Sequence, residues 1–288
     1  MKKVLVTGAS GFLGRHTAEF LNSRGYDVYG TFRRTSAEIP GVSMFPCDLS
    51  KDLTEINVLF DAIIHCAAEI RGKSAAEHID GNITAMRNLI DFARKNAAGK
   101  FIFCSSISVY GEVNGEVSED SDRINPDLYA MSKYLCEILL AQSSLSSVYN
   151  LRLPRLIGTG IDFTYPWIPM LSHKLLNNEE IKYFNPEMYF NNVVHVNDVN
   201  VFLLKLLEKD TRETVTLNIA VRDHMKIIDV INTLKKGLQS SSRLVETSAP
   251  VRQNCHSVCV NRALEMGFES MTIKDTLKLY CAEIIKND

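Results

Sequence analysis

The chain has 288 residues, of which 45% are hydrophobic, and its charged side chains leave a formal net charge of -2. That hydrophobic fraction is enough for a buried core, and the length allows one large domain or two small ones. The near-neutral charge gives no electrostatic reason to expect nucleic acid or an anionic membrane as a partner.

The start of the chain lacks the pattern of a secretion signal. Its apolar run stops at Val6 and a glycine-rich turn follows at once, whereas a signal peptide has a longer apolar stretch and a small-residue cleavage site. No uninterrupted apolar segment approaches the ~18 residues that a membrane span needs. We therefore expect a cytoplasmic protein without a membrane span.

The seven cysteines are scattered, and most lie in apolar runs. Buried free thiols in a reducing compartment account for this pattern. Cys255-His256-x-x-Cys259 has the spacing of half a metal site, but a structural zinc ion needs four ligands and no second pair lies near. We expect no bound metal.

Short β-branched runs alternate with helical patterns through the first half of the chain. The predicted strands are Val4-Leu5-Val6, 27–32, 42–45, 62–66, 100–104 and 147–153, and the predicted helices cover about 12–23, 75–96 and the residues up to about 142. This alternation predicts an α/β fold with a doubly wound, Rossmann-type parallel sheet. Such a sheet binds its ligand at the carboxyl ends of its strands.

The strand and helix pattern loosens beyond Pro154, where 158–190 contains three further prolines and the single tryptophan. We therefore assign 1–157 and about 191–220 to a dinucleotide-binding domain. The remainder, about 158–190 and 221–288, is predicted to be a smaller substrate-binding lobe of mixed α/β structure.

A glycine-rich turn links the first predicted strand to the first predicted helix. The turn is Thr7-Gly8-Ala9-Ser10-Gly11-Phe12-Leu13-Gly14. Gly8 permits a tight turn, Gly11 lets the backbone approach a pyrophosphate, and Gly14 lets the helix pack closely on the strand. The helix N-terminus offers free N–H groups to the phosphates. This context predicts a dinucleotide site.

The end of the second predicted strand bears on the choice of dinucleotide. An NAD site has a carboxylate there for the ribose 2′-hydroxyl, but this chain has Thr31-Phe32-Arg33-Arg34. A guanidinium suits a 2′-phosphate, which a carboxylate would repel. We therefore predict NADP (as NADPH) in preference to NAD, although arginines in a surface loop can also be merely solvated.

Two further strand ends supply candidates for cofactor contacts. Asp48 and Leu49 follow the third predicted strand, where the carboxylate can accept a hydrogen bond from adenine or, equally, cap a helix. Ala67 and Ala68 follow the fourth predicted strand and leave room for a cofactor to lie against the backbone.

Tyr129 and Lys133 lie four residues apart on one predicted helix, so they share a face. The ammonium lowers the pKa of the tyrosine, as a proton donor to a carbonyl requires. Ser105 and Ser106, just after the fifth predicted strand, supply a hydroxyl that can orient the substrate oxygen. The order of the turn, the serine and the tyrosine favours this chemistry over a chance surface pair.

Together these motifs resemble the extended short-chain dehydrogenases/reductases, and more narrowly the NAD-dependent epimerase/dehydratase family, whose members mostly act on nucleotide sugars. The matching segments are Thr7–Gly14, Asp48-Leu49, His65-Cys66-Ala67-Ala68, Asn82, Ser105–Gly111, Tyr129-x-x-x-Lys133 and Val193–Val199. The resemblance implies that Ser106, Tyr129 and Lys133 are catalytic, that Asp48 binds adenine, and that the protein is a homodimer through helices near 80–95 and 130–142. Tyr134, Leu135, Ile138 and Leu139 are candidates for that dimer face or for the core.

The candidate residues form two sets. The cofactor-binding set is Gly8, Ser10, Gly11, Phe12, Leu13, Gly14, Phe32, Arg33, Arg34, Asp48, Leu49, Ala67, Ala68, Tyr129 and Lys133, and the substrate set is Ser106, Ile107, Tyr129 and Arg155.

Departures from the family pattern narrow the predicted chemistry. The 4,6-dehydratases of the family carry Asp-Glu after the catalytic threonine, whereas this chain has Ile107 and Ser108, which can neither donate nor remove the protons. An Asn and an Arg that often contact the nucleotide sugar are replaced by Arg155 and Asn191.

The sequence therefore predicts an NADPH-dependent reductase of a carbonyl, the 4-keto group of a nucleotide-linked deoxy sugar, with Tyr129 as proton donor. Three alternatives stay open: a nucleotide-sugar epimerase with tightly bound NAD(P), a reductase of a non-nucleotide ketone or aldehyde, and a non-catalytic dinucleotide sensor.

Overall fold

The computed structural model describes residues 2–35, 38–51, 53, 56–72, 74–113, 115–161, 167–209, 211–248 and 256–287. The chain forms two compact units. The first comprises Met1–Gly111, Arg123–Leu153 and Asn200–Leu217, and the second comprises Glu112–Asp122, Pro154–Val199 and Asn218–Asp288.

The bounds of the strands and helices are as follows. The strands are β1 (Lys3–Thr7), β2 (Asp27–Phe32), β3 (Ser43–Pro46), β4 (Ala62–His65), β5 (Lys100–Ser106), β6 (Gly115–Val117), β7 (Val148–Leu153), β8 (Arg155–Ile157), β9 (Ile181–Tyr183), β10 (Tyr189–Phe190), β11 (Val193–His195), β12 (Thr214–Asn218), β13 (Met225–Lys226), β14 (Leu244–Glu246) and β15 (His256–Val258). The helices are α1 (Phe12–Ser23), α2 (Ala75–His78), α3 (Ala85–Lys95), α4 (Leu128–Ala141), α5 (Trp167–Leu176), α6 (Val196–Glu208), α7 (Ile227–Gly237), α8 (Asn261–Glu265) and α9 (Ile273–Asn287).

The first unit is built on a seven-stranded sheet in the order β12-β7-β5-β4-β1-β2-β3. The neighbouring strands in the series β3-β2-β1-β4-β5-β7 are parallel to one another. The central strands β1, β4 and β5 each contain an apolar run that is buried, as expected for a sheet covered on both faces. The α/β class and the Rossmann-type sheet predicted from the sequence are confirmed. The strand order reverses beside β1, which lies between β2 and β4, and such a switch point opens a crevice for a ligand at the carboxyl ends.

The amphipathic helix α3 shows how the helices cover this sheet. Its residues Met86, Leu89, Ile90 and Ala93 recur at helical spacing and are all buried. They pack in the same core as Phe101 of β5. The apolar spacing in the sequence therefore decides which face of the helix contacts the sheet.

The helix predicted over 75–96 is helical almost throughout, but it is not a regular α-helix. A π-helical segment, Ile79–Thr84, joins α2 to α3. Within it the buried Asn82 exchanges two hydrogen bonds with the backbone of Glu69, at 2.7 and 3.0 Å. π-Helical turns occur often at functional sites, and here the widened turn carries a side chain that fixes the loop after β4.

The second unit has its own apolar core, in which Leu171 of α5, Leu234 of α7 and Leu277 of α9 are buried together. Its strands form two-stranded sheets instead of extending the large one. The observed units differ in their bounds from the two domains predicted from the sequence. Segments 112–122, 154–157 and 191–199 lie in the second unit, because β6 pairs with β15 and β8 pairs with β11.

Among the residues that the structure describes, no helix is both long and apolar enough to cross a membrane. Six described cysteines carry free thiols, and Cys104, Cys136 and Cys281 among them are buried. The Cys255-His256-x-x-Cys259 segment lies partly outside the described residues, since Cys255 is not among them. In the described part of the chain, no group of three or more His, Cys, Asp or Glu side chains is arranged to hold a metal ion.

Candidate active site

The glycine loop after β1 is held in a shape that only small residues allow. Gly8 has a φ of +67°, and a Cβ there would lie 2.7 Å from the Cα of Ala67. A Cβ on Gly14 would collide with the carbonyl of Gly8. Thr31 of β2 anchors the loop, since its carbonyl accepts from the Ala9 N–H at 2.8 Å and its Oγ1 accepts from the Gly8 N–H at 3.2 Å. The loop is therefore fixed from both neighbouring strands.

The N-terminus of α1 fits a pyrophosphate. Gly11 is the N-cap and provides no side-chain hydrogen bond to the first turn, which carries no acidic residue. The first N–H groups of a helix need an acceptor, and the helix dipole favours a negative charge there. Ser10 and Gly11 are exposed, Phe12 is partly exposed, and Leu13 is buried in the core. Leu13 therefore offers a phosphate only its backbone.

The carboxyl end of β2 carries the two arginines predicted to select the cofactor. Arg33 and Arg34 are exposed, and residues 31–35 include no acid. The Nη2 of Arg33 pairs with the Oε2 of Glu69 at 2.8 Å, with side chains 40% and 20% exposed. Glu69 follows β4, so the Arg33 side chain spans from the end of β2 toward the end of β4, and β1 lies between those strands. No local pattern in the sequence indicates Glu69 as this partner.

Asp48 does not cap a helix, which was one of the two roles open to it. Its Oδ1 accepts from the Ser50 N–H at 3.1 Å and from the Ser50 hydroxyl at 2.8 Å, closing a turn. Burial raises the pKa of the Asp48 carboxyl, but these hydrogen bonds and the charges of Arg33 and Lys51 outweigh burial and lower it below its usual value. The next residue, Leu49, is buried in the core.

The end of β4 is tied to the end of β1. The Thr7 hydroxyl and the Nδ1 of His65 are hydrogen-bonded at 2.7 Å. Complete burial, with the Lys133 charge, lowers the pKa of His65 to about 3, so the ring is neutral at pH 7. Ala67 and Ala68 follow and are partly exposed, which leaves their backbone accessible beside the glycine loop.

Helix α4 presents Tyr129 and Lys133 from its first two turns. Asp127 is the N-cap of the helix, and its side chain accepts from the Ala130 N–H at 2.8 Å. Tyr129 is partly exposed, whereas Lys133 is 2% exposed. The Lys133 Nζ donates to the carbonyl of Cys104 at 2.7 Å and lies 4.5 Å from the centroid of the Phe103 ring. The ammonium is thus held against β5.

Burial and the neighbouring side chains shift the pKa of Lys133 in opposite directions. Burial lowers the pKa of Lys133 by more than the charges of Cys136, Cys104, Cys66 and Glu137 raise it, so this pKa lies below its usual value. The neighbouring groups therefore offset the desolvation of the buried ammonium only in part.

Ser106 ends β5 and begins a 3₁₀ turn, Ile107–Tyr110. Its Oγ accepts from the Ser108 N–H at 3.1 Å, and the residue is partly exposed. Its hydroxyl hydrogen remains available for a substrate oxygen, because the contact to Ser108 uses an oxygen lone pair. Ile107, predicted to contact substrate, is 3% exposed, so its side chain belongs to the core.

A residue of the π-helical turn supports the tyrosine. The Nδ2 of Asn82 donates to the Ser132 Oγ at 2.8 Å, and that hydroxyl donates to the carbonyl of Tyr129 at 2.7 Å. The sequence analysis identified Asn82 as one of the residues that match the family, but it assigned no role to this side chain. Here it links the loop after β4 to the first turn of α4.

A buried ion pair that the sequence interpretation missed contacts both ends of the 3₁₀ turn after β5. Glu137, four residues after Lys133, accepts from the Arg152 Nη2 at 2.7 Å and from the Arg152 Nε at 3.1 and 3.2 Å. It also accepts from the Ser105 Oγ at 2.5 Å, and the Arg152 Nη1 donates to the Tyr110 hydroxyl at 2.7 Å. A charged residue inside the apolar run of β7 was the available signal, since a buried charge needs a partner.

Two predicted departures from the family pattern fall in the second unit. Arg155 lies in β8 and is partly exposed. Asn191 is completely buried: its Nδ2 donates to the carbonyls of Val221 and Val258 at 3.0 and 2.9 Å, and its Oδ1 accepts from the Val258 N–H at 2.8 Å. Asn191 therefore has a structural use within that unit.

The first unit brings most of the predicted site residues to the carboxyl ends of four strands. The glycine loop follows β1, the arginines follow β2, the alanines follow β4 and Ser106 ends β5. These are the positions at which a doubly wound sheet binds a dinucleotide.

Comparison with known proteins agrees with this geometry. The family model of the NAD dependent epimerase/dehydratase family matches residues 4–220. A dTDP-4-dehydro-6-deoxy-D-allose reductase of a Streptomyces species is 26% identical over 282 residues, covering 87% of this chain and 86% of the relative. A fatty acid hydroxylase of Mycosarcoma maydis is 33% identical over 138 residues, but only 43% of this chain and 46% of that relative are covered.

A solved structure shows the same fold. The Bordetella bronchiseptica enzyme WbmG, in complex with NAD and UDP, has a TM-score of 0.86 and 17% identity, and the match covers 99% of this chain and 95% of that one.

Proposed function

The chain belongs to the NAD dependent epimerase/dehydratase family, and we propose that it is a cytoplasmic, NADPH-dependent reductase acting on the 4-keto group of a nucleotide-linked deoxy sugar. The observation that carries the proposal is the pair of exposed arginines at the end of β2, where residues 31–35 include no acid. The reductase from Streptomyces, which is similar along most of its length, supports the substrate class.

The cofactor is a nicotinamide dinucleotide, and the choice of NADPH rests on charge. A guanidinium at the end of β2 attracts a 2′-phosphate and forms charge-assisted hydrogen bonds with it. Arg34 is exposed, and Arg33 can turn from Glu69 to a phosphate at small cost, because an exposed ion pair contributes only about 0–1 kcal/mol. When bound, the cofactor supplies hydride to the carbonyl carbon.

Side chains of the protein bind and protonate the carbonyl oxygen of the substrate. Ser106 donates a hydrogen bond to it, and the Tyr129 hydroxyl transfers a proton to it as the carbonyl is reduced. Lys133 stabilises the phenolate that Tyr129 becomes, because a buried ammonium interacts strongly with a nearby anion.

The two residues that follow Ser106 argue against a dehydratase reaction. A dehydratase needs a second acid and base beside the serine, and the following positions are the buried Ile107 and the hydroxyl residue Ser108. Neither can exchange protons near neutral pH. Reduction needs only the one proton that Tyr129 provides.

A second candidate is a nucleotide-sugar epimerase with tightly held NAD. The Arg33–Glu69 ion pair favours it, because that pair occupies one of the two arginines at the end of β2 and places a carboxylate beside it. The similar WbmG structure also contains NAD.

We further propose that the protein is a homodimer through α4. On this helix Leu128, Met131 and Leu135 are exposed at 55%, 53% and 39%, and their spacing puts them on one face. The predicted Tyr134, Ile138 and Leu139 are only partly exposed. Sedimentation of the wild type and of Met131→Lys tests this interface: a dimer that the lysine does not weaken contradicts it.

Oxidation of NADPH against a panel of nucleotide 4-keto sugars tests the reductase proposal. The expected result is turnover with at least one substrate, loss of turnover in Tyr129→Phe, and an unchanged dissociation constant for NADPH in that variant. Stoichiometric NAD in the purified protein with no consumption of NADPH would favour the epimerase. Retained activity in Tyr129→Phe would exclude Tyr129 as the proton donor.

A further inference from the structure

The pair formed by Glu137 and Arg152 holds together the elements that carry the catalytic residues. Glu137 lies on α4, one turn after Lys133, and Arg152 lies on β7. Their side chains are 5% and 3% exposed and meet through two guanidinium nitrogens. Such a forked contact fixes the orientation of both groups as well as their distance.

The same pair holds both ends of the turn that contains Ser106. Immediately before Ser106, the Ser105 Oγ donates to Glu137 at 2.5 Å. At the end of the 3₁₀ turn, the Tyr110 hydroxyl accepts from Arg152 at 2.7 Å. All four side chains are buried, so the turn cannot shift against α4 without breaking charge-assisted hydrogen bonds in a dry interior.

The pair also affects the electrostatic potential at Tyr129. Lys133 lies between Tyr129 and Glu137 on the helix, so an unpaired Glu137 carboxylate would offset the ammonium. Burial lowers the pKa of Arg152, but Glu137 outweighs burial and raises it above its usual value, which keeps the guanidinium charged. The charges of Glu137 and Arg152 therefore nearly cancel at the distance of Tyr129.

We propose that Glu137 and Arg152 are positioning residues of this site: they fix the Ser106 turn on α4, and Arg152 neutralises Glu137 so that the Lys133 ammonium acts on Tyr129 uncompensated. This inference rests on the proposed role of Tyr129 as proton donor. It goes beyond that role because it assigns a function to two residues that touch neither substrate nor cofactor.

Other titratable groups near Lys133 and Tyr129 have to stay constant in a test of this idea. In the described part of the chain they include His65 and Cys66 around the end of β4, His78 of α2, whose ring centroid lies 6.4 Å from that of Tyr129, Cys104 of β5, and Asp127 and Cys136 of α4. None of them is altered in the variants below, so differences between variants report the pair.

The test is the pH titration of Tyr129 in the full-length protein labelled with [¹³Cζ]tyrosine, with and without bound NADPH. The chain has ten tyrosines, and the spectrum of Tyr129→Phe identifies the resonance. Glu137→Gln leaves Arg152 unopposed and should lower the midpoint, whereas Arg152→Gln should raise it. Eight helical residues span ~12 Å, so at an effective dielectric constant of about 20 each shift is roughly one pH unit.

The double variant Glu137→Gln with Arg152→Gln separates charge from structure. It removes both charges and keeps hydrogen-bonding amides, so its midpoint should return to that of the wild type, while kcat falls and KM changes little because the forked contact is lost. If Arg152→Gln does not fold, Glu137→Gln and the double variant still decide the matter. Unchanged midpoints, or shifts of the same sign in both single variants, would overturn the proposal. This readout needs no substrate, so it stands apart from failure of the reductase assay.

Discussion

Replacement of Arg33 by alanine should weaken the binding of NADPH and leave that of NADH nearly unchanged. A hydrogen bond to a charged group contributes about 1.5–3 kcal/mol. Arg33 must first leave Glu69, an exposed pair worth about 0–1 kcal/mol. The difference of about 0.5–3 kcal/mol corresponds to a roughly 2- to 150-fold loss of NADPH affinity, since 1.4 kcal/mol is tenfold.

The matched variant Glu69→Gln tests the same reasoning with the opposite sign. Without the carboxylate Arg33 is released, and NADPH should bind up to about fivefold more tightly, again by the worth of an exposed ion pair. Calorimetric titration with both cofactors measures the change, and Arg24→Ala, at the far end of α1 from the glycine loop, is the control. Equal affinities for NADPH and NADH, unaffected by Arg33→Ala, would refute the assignment of a 2′-phosphate to these arginines.

Three further predictions concern the scaffold. Gly14→Ala should lower both the unfolding midpoint and cofactor affinity, because its Cβ would collide with a loop carbonyl, whereas Gly99→Ala, with its nearest neighbour at 3.4 Å, should change neither in calorimetry. Burial lowers the pKa of His65 to about 3 in the folded protein. As the pH falls, His65 therefore binds a proton in the unfolded state before it does so in the folded state, and the free energy of unfolding decreases from about pH 6.5 toward pH 3. Urea unfolding should show about 2 kcal/mol less stability at pH 5 than at pH 7.5; His65→Gln should abolish this dependence, and the exposed control His173→Gln should keep it. Asn191→Ala should cost about 3 kcal/mol through three lost buried hydrogen bonds while cofactor affinity stays the same, and a loss of affinity without a loss of stability would contradict its structural role.

The sequence could predict the sheet because its strands are short apolar runs separated by helical patterns. It could also predict the glycine loop, since a turn that tolerates no Cβ at Gly8 and Gly14 selects glycine directly. The spacing of Tyr129 and Lys133 placed them on one helix face, and the structure has both on α4. These features depend on local geometry, which the order of residues carries.

Other features depend on partners distant in the chain. The association of 112–122 with the second unit follows from the pairing of β6 with β15, whose residues lie about 140 positions later. The Glu69 partner of Arg33 and the Asn82 contact to Ser132 likewise join separate segments. No local pattern identifies such contacts.

The sequence by itself determined the Rossmann-type sheet, the glycine-rich turn after β1 and the shared helix face of Tyr129 and Lys133, because each follows from residue types at short, fixed spacings. Only the tertiary structure showed that Lys133 is buried against the Cys104 carbonyl and that Glu137 and Arg152 pair beneath the Ser106 turn. The physical reason is that a charge acts through its distance to other charges and its exclusion from water, and both are set where strands and helices from distant parts of the chain pack together.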